Sequence, residues 1–332
     1  ANTYLQTTGN GSALTNLNGA NIANSTITAA ALAPNAVPTT YNLNLLGSLR
    51  WDLLRSQSNF AVGNDPRAIA FDGANIWVAN FDDDNVTKLR ASDGSPQGTF
   101  PVGTDPYGVA FDGTNIWVAN QGSDDVTKLR ASDGALQGTY SVGDSPIGIA
   151  FDGANIWVAN VVSGNVTKLR ASDGALQGTF TVAAFPLWLA FYGTNICVAH
   201  DGAGTLRKLR ASDGFLLGTF ASAPATRGIA FDGANIWVGH SSGLTKLRAR
   251  DGFNLGSFIP CGSGCDGVAF DGKNIWAASG FDNTLVKLRP SDGLVEWTFT
   301  VGTQPRAVVF DGANIWVTNS GSNNVTKVPA FP

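Results

Sequence analysis

Apolar and polar positions follow one another along this chain in a fixed cycle. From Arg67 a run of small and apolar residues leads to Phe71, and the polar turn Asp72-Gly73-Ala74-Asn75 follows. The apolar run Ile76-Trp77-Val78-Ala79 ends at Asn80, and a polar loop leads to an alternating run from Val86 to Arg90. A second turn through Ser92-Asp93-Gly94 precedes a last run from Gly98 to Val102. Runs this short between turn signals have strand length, not helix length. Asp-Gly reaches positive φ cheaply, so each such pair turns a hairpin. The cycle therefore predicts four antiparallel strands: a (67–71), b (76–80), c (86–90) and d (98–102).

The cycle repeats. Phe-Asp-Gly-Ala-Asn-Ile-Trp-Val-Ala-Asn begins at Phe71 and returns in near-copies at Phe111, Phe151, Phe191, Phe231, Phe270 and Phe310. The spacing is 40 residues except for one step of 39. A unit this small cannot bury its own core and must stack on its neighbours. Seven units of four strands predict an all-β fold, a seven-bladed β-propeller. Leu49-Arg50 and Phe60-Ala61-Val62-Gly63 align one repeat ahead of Leu89-Arg90 and Phe100-Pro101-Val102-Gly103, while the last copy stops at strand c, Val325 to Val328. Asn59, Phe60, Ala61 and Val62 are thus expected to supply the missing outer strand and close the ring. The domain reading is an extended N-terminal arm, 1–46, and a propeller, 47–332.

The arm is unusual in charge. Residues 1–49 contain no charged side chain, and apolar residues (Ile22, Ile27, Leu32, Val37) are spaced among small polar ones. A disordered linker normally carries more charge or proline. No apolar run reaches the length of a membrane span. Ala1 opens a segment without a basic or apolar leader, which reads as a signal peptide removed or never present.

Net charge is −4, and of the 21 basic residues most stand in a repeated Lys-x-Arg of strand c, from Lys88 and Arg90 to Lys327. Repeated Asp-Gly turns hold many of the acids. This pattern reads as a ring of solvated, partly paired charges with no basic groove, which excludes nucleic acid as a partner. The Trp of strand b (Trp77, Trp117, Trp157, Trp237, Trp276, Trp316) reads as packing between blades.

Candidate chemistry is sparse. The a–b and c–d turns share one face and barely vary between copies, whereas the b–c and d–a loops share the other and vary freely, so ligands are expected there. His200 and His240 replace the Asn that ends strand b in adjacent blades, and with Asp201 they form a candidate metal site or acid–base pair. The bland alternative is two polar strand ends that drifted from Asn. Asp82, Asp83, Asp84, Asp124 and Asp125, with Asp65, Asp105 and Asp144 nearby, offer oxygen ligands for Ca²⁺ or another divalent ion, without the spacing of a known calcium loop. Solvated turn carboxylates are the default, so the cofactor reading is none. Glu296 is the sole glutamate. Cys261 and Cys265 bracket Gly262-Ser263-Gly264 and are candidates for a small-loop disulfide, which would indicate an oxidising compartment; Cys197 replaces the repeated Trp as a buried, inert thiol. Asn-x-Ser/Thr sequons stand at Asn10, Asn24, Asn85, Asn165 and Asn324.

With the period and the Phe-Asp-Gly-x-Asn-Ile-Trp-Val core in hand, residues 47–328 resemble the seven-bladed propellers of the YVTN and streptogramin-lyase type. The stretch from Asn10 to Asn18 resembles modules of phage tail fibres and bacterial surface proteins. The first resemblance implies a lyase that works with His, Glu and Mg²⁺ on the ligand face, but that pattern is not reproduced here, so its activity does not carry over.

Three functions follow as expectations. The first is a non-catalytic extracellular or cell-surface structural or interaction protein, a homo-oligomer or homopolymer that forms filaments when the arm adds a strand to a neighbour. The second is a metal-dependent lyase or hydrolase at the variable face. The third is a glycan- or peptide-binding propeller using Phe81, Phe185, Trp188 and Phe281, although Trp188 reads as facing the core of strand a.

Overall fold

The computed structural model describes residues 57–330 apart from 203 and 263. The arm with Ile22, Ile27, Leu32 and Val37, the sequons at Asn10 and Asn24, and the 46/47 boundary lie outside the described residues; the propeller unit begins at Gln57. Among the described residues 28 strands form seven antiparallel four-stranded sheets. In blade one the strands are Pro66–Phe71 (a), Asn75–Asn80 (b), Asn85–Arg90 (c) and Pro96–Pro101 (d). The chain is a seven-bladed β-propeller.

The repeated turn explains why Asp, Asn and Trp travel together. Asp72 Oδ1 accepts the Ala74 and Asn75 amides at 2.9 and 2.6 Å, and Oδ2 accepts the Trp77 indole N–H at 2.8 Å. One carboxylate thus closes the hairpin and satisfies an indole that is otherwise wholly buried. Asp112, Asp152, Asp232, Asp271 and Asp311 repeat the bond. Burial works to raise the Asp152 carboxyl, but its Trp157, Ala154 and Asn155 donors hold it below its ordinary value.

No blade has a core of its own. Trp77, Ala79 and Val86 of blade one pack against Ile116, Val118 and Leu129 of blade two, and a comparable cluster fills every other junction. Across each junction a lysine reaches the next blade. Lys88 Nζ lies 5.0 Å from the Trp77 ring centroid and donates to the Ala131 and Ser132 carbonyls of blade two at 2.7 and 3.1 Å. This corrects the expectation of a solvated lysine ring: Lys88, Lys128, Lys168 and Lys287 are buried. Their stems lie along apolar surface, and in Lys88 two carbonyls and an aromatic face replace water around the ammonium. The arginines of the same motif do face solvent, paired as Arg90 is with Asp93 at 3.1 Å.

Ring closure follows the sequence expectation. Ser58–Ala61 pairs antiparallel with Asn324–Pro329 of blade seven, Phe60 opposite Val325, and the Val62 amide donates to Asn323 O at 3.2 Å. The Phe60 ring stands 5.4 Å from Trp316, as Phe100 does from Trp77. Lys327 donates to Ala91 O and Ser92 O, so the last blade grips the first by the same contact that joins the others.

Blade four departs from the pattern in two linked places. Tyr192 stands where the turn Asp belongs and Cys197 where the Trp belongs. The Tyr192 ring turns inward, packs in one cluster with Cys197, Ile236 and Val238, lies 5.1 Å from Phe231, and takes the place of the indole under Lys208 at 5.5 Å. One aromatic has been exchanged for another from a different position. Burial pushes the Cys197 thiol up to about 12, so it is inert at neutral pH.

The two substitutions should therefore be coupled. Cys197→Trp alone forces an indole into space held by the Tyr192 ring and should cost about 1–3 kcal/mol; Tyr192→Asp alone leaves a void beneath Lys208. The double variant restores the arrangement of the other blades and should recover on the order of 2 kcal/mol relative to the sum of the singles. Calorimetric melting of the four proteins measures this, and strict additivity would refute the exchange.

Candidate functional site at the mouth of the channel

The seven a strands stand side by side around the axis, each packed against the a strand of the next blade. Six of them carry a bulge just after the first residue, and in blade six the strand is shortened to Val268–Phe270. A bulge re-aims the side chain it releases. The released position, on the variable face, holds Arg67, Tyr107, Ile147, Leu187, Arg227, Asp266 and Arg306 in blade order.

Contacts gather several of these side chains into two groups. The Arg67 guanidinium is bonded to Asp65 and lies 4.7 and 5.5 Å from the rings of Phe81 and Tyr107. Burial works to lower the Arg67 pKa, and Asp65 and Tyr107 more than offset it, so the group stays fully charged. Tyr107 in turn stands 5.9 Å from Trp188, two blades away. On the other side, Arg227 donates to the buried Asp266 at 2.8 Å and lies 5.5 Å from the Phe281 ring, while Asp266 also accepts the Gly280 amide at 2.9 Å. Arg306 makes only one long bond, from Nε to Ser320 Oγ at 3.4 Å. The mouth is two-sided: blades five, six, seven and one present Arg, Asp, Arg and Arg, and blades two to four present Tyr, Ile and Leu with Trp188.

Trp188 occupies the next position along strand a, which is otherwise Ala or Gly: Ala68, Gly108, Gly148, Gly228, Gly267 and Ala307. A Cβ on Gly108 would stand 2.1 Å from the Ile147 carbonyl of the following blade, which explains the small residues. Trp188 is half-buried: it packs against the core cluster between blades four and five, as expected of a residue that faces the core, and also meets Tyr107. Phe81 is half-buried in the Arg67 cluster, whereas Phe185 and Phe281 are 55% and 66% exposed.

The histidine and loop-carboxylate candidates make other contacts. His200 and His240 are buried at strand-b ends and occupy the slot in which Asn80 accepts the Gly63 amide and donates to Asn85 and Thr87. His200 Nε2 accepts the Ala183 amide at 3.2 Å; His240 bonds Ser242 and Thr245 within its own blade, and the two rings make no bond to each other. Asp201 accepts the Gly202 amide. Asp83 accepts from Asn64, Asp84 from the Asp105 amide, Asp124 from the Ser145 amide and Asp125 from Asn120, so these carboxylates tether loops; Asp82 is exposed on a short 3-10 turn, Phe81–Asp83. Among the described residues no three His, Cys, Asp or Glu side chains are grouped to hold a metal ion. Asn85, Asn165 and Asn324 open c strands half-buried, each accepting from the Asn that ends strand b. Cys261 and Cys265 are disulfide-bonded with Cα atoms 5.7 Å apart, in the loop that leads to Asp266.

A groove of about 630 Å³ on the opposite face, between blades three and four, is lined by Asp152, Lys168 and Arg210 among others. Asp152 is held by Trp157, Lys168 by the Ala211 and Ser212 carbonyls and Arg210 by Asp213, so its polar groups belong to the scaffold.

No protein-family model matches the chain, and no curated protein does. Solved structures do. An inactive variant of virginiamycin B lyase from Staphylococcus aureus with quinupristin superposes with a TM-score of 0.72 at 14% identity, covering 83% of this chain and 99% of that one. Kuenenia stuttgartiensis hydrazine synthase gives 0.70 at 18% identity, over 82% of this chain and 97% of that one. U3-55K gives 0.73 at 13%, over 82% and 98%. The likeness to the streptogramin-lyase type is one of fold, and these neighbours differ widely in function.

Burial lowers His200 from its ordinary 6.5 to about 4 and lowers His240 in the same direction. A buried neutral imidazole contributes its full stability above the unfolded value and loses it as pH falls toward the folded one. Between about pH 6.5 and pH 4 the ring should lose on the order of 2 kcal/mol through His200. His200→Asn, which keeps an acceptor for the Ala183 amide, should lose correspondingly less. Urea unfolding at several pH values compares the two, and parallel pH profiles would show that His200 is not held neutral by the fold.

Proposed function

We propose that this protein is a non-catalytic extracellular building block that assembles with copies of itself, the uncharged N-terminal arm of one copy adding a strand to the outer edge of a blade in the next. The observation that supports this is the state of the outer strands. Leu136–Ser141, Leu176–Thr181, Leu216–Ala221 and Asn254–Phe258 each end their sheet, and none contains a charged residue or a proline. Free edges are ordinarily guarded by such residues, as Pro96 and Pro101 guard blade one and Glu296 guards blade six. Among the described residues, ten of the thirteen exposed large apolar side chains lie on or beside outer strands, Phe215, Leu217 and Phe253 among them.

A segment with no charge can be buried on such an edge without desolvating ions, and its backbone can complete the ladder. The patch and the arm are different surfaces, so the contact is heterologous and propagates as an open string. The Cys261–Cys265 bridge supports an oxidising, extracellular setting. The lyase or hydrolase reading rests on His200 and His240, whose rings serve hydrogen bonds of the scaffold, and no observation favours it.

Deleting residues 1–45 should abolish assembly in light scattering and electron micrographs while leaving melting of the ring intact. Lysines at the exposed outer-strand positions Thr179 and Thr219 should do the same from the acceptor side. Polymers that persist in both variants, or a wild-type protein that stays monomeric at high concentration, would overturn the proposal.

A further inference from the structure

We infer that the mouth of the channel binds a small organic anion, a carboxylate carried on an aromatic ring. Three observations converge on this. Arg306 is the one guanidinium among the described residues with neither a carboxylate nor a carbonyl partner; its Nη1 and Nη2 are unbonded, although the residue is half-buried on the innermost strand. Every other arginine of the ring is engaged: Arg67 by Asp65, Arg227 by Asp266, Arg207 by the Val182 carbonyl, and the strand-c arginines by turn aspartates. The planar fork of a free guanidinium matches a carboxylate with two parallel bonds.

The second observation is the aromatic side of the mouth. Trp188 stands in a column where the other six blades have Ala or Gly, and it meets Tyr107 of blade two across the intervening blade. Part of the Trp188 ring packs on the core between blades four and five, and the part toward Tyr107 reaches beyond what the other blades place there. A half-buried indole beside a phenol offers flat apolar area with polar tips, the usual wall of a small-ligand site. The third is charge. Arg67 is paired with Asp65 and Arg227 with Asp266, so among the arginines of the bulged positions Arg306 is the one that no described carboxylate meets at ion-pair distance. Arg306 is thus left available to a single anionic group, on the same ring of inner strands as the aromatic wall.

This inference does not rest on assembly, since strand d and the arm take no part in it, and the two can fail separately. The test uses the full chain with phenylacetate and indole-3-acetate, and the corresponding amides as uncharged controls, by titration calorimetry and saturation-transfer NMR. The acids should bind, and the amides should bind about tenfold more weakly or worse, the loss expected for a charge-assisted pair. Arg306→Gln should bring the acids down to the level of the amides. Trp188→Ala should weaken acids and amides alike. If its melting shows damage to the ring, Trp188→Phe, which keeps the aromatic face, should retain most of the binding, and Tyr107→Ala should lose it. Absence of binding by both acids at millimolar concentration, equal affinity for acids and amides, or an Arg306→Gln variant that binds the acids as well as wild type would each overturn the inference.

Discussion

Burial of the strand-b tryptophan against the following blade is the contact on which the ring depends. Each blade is an incomplete body, because one wall of every core belongs to its neighbour. Seven wedges arranged this way have seven junctions only when the ring is closed; opened at any point, two blades expose a face made of Trp or of Ile and Val. The strand 58–61 matters for that reason. It lends blade seven its Phe60, which covers Trp316 as Phe100 covers Trp77. Covalent continuity between blades one and seven is thereby made through the N-terminal side, so separating the ends of the chain would also strip a strand.

The fold was legible because the contact recurs. A column of Trp, a column of Asp-Gly and a fixed period state the same constraint seven times, and the offset of Phe60 by one repeat discloses the closing strand. What sequence could not show was where a long side chain ends. Lys88 and Arg90 read as two exposed charges on one strand, yet Lys88 meets a pair of carbonyls 43 and 44 residues away that only the neighbouring blade supplies. The partners of His200 and His240 are hidden for a related reason: the His200 ring accepts a backbone amide from the loop that leads into its blade, and the His240 ring meets Ser242 and Thr245, contacts that the sequence spacing does not display. The mouth does carry a signal in the sequence: inside a strand whose other positions vary less, one column runs Arg, Tyr, Ile, Leu, Arg, Asp, Arg.

Variation of that kind is cheap only at certain places in a repeat. The Trp, Asp and Lys columns are each tied to two other groups, so a change in one demands a change in another, as Tyr192 and Cys197 illustrate. The bulged residue of strand a has given up its place opposite strand b, and its side chain leaves the junction between blades. Arg67, Ile147 and Arg306 can therefore differ without disturbing the cores. Where neighbours at the mouth do interact, as Arg227 does with Asp266, the coupling is between side chains already outside the repeat's own contacts.

The rim and the mouth are separated by the two strands that vary least. Strand b is buried along nearly its whole length in each blade, strand c along most of its length in blades one to three, and the two stand between the outer edge and the axis. Close packing there leaves no soft path for a side-chain change at one surface to shift the other, and sites without shared partners add independently. An outer strand can lose its guarding charges while the inner strand gains an arginine or a tryptophan. A repeat ring thus accommodates two unrelated specialisations, one in backbone exposed at the edge and one in side chains released at the centre, on a framework that neither has to alter.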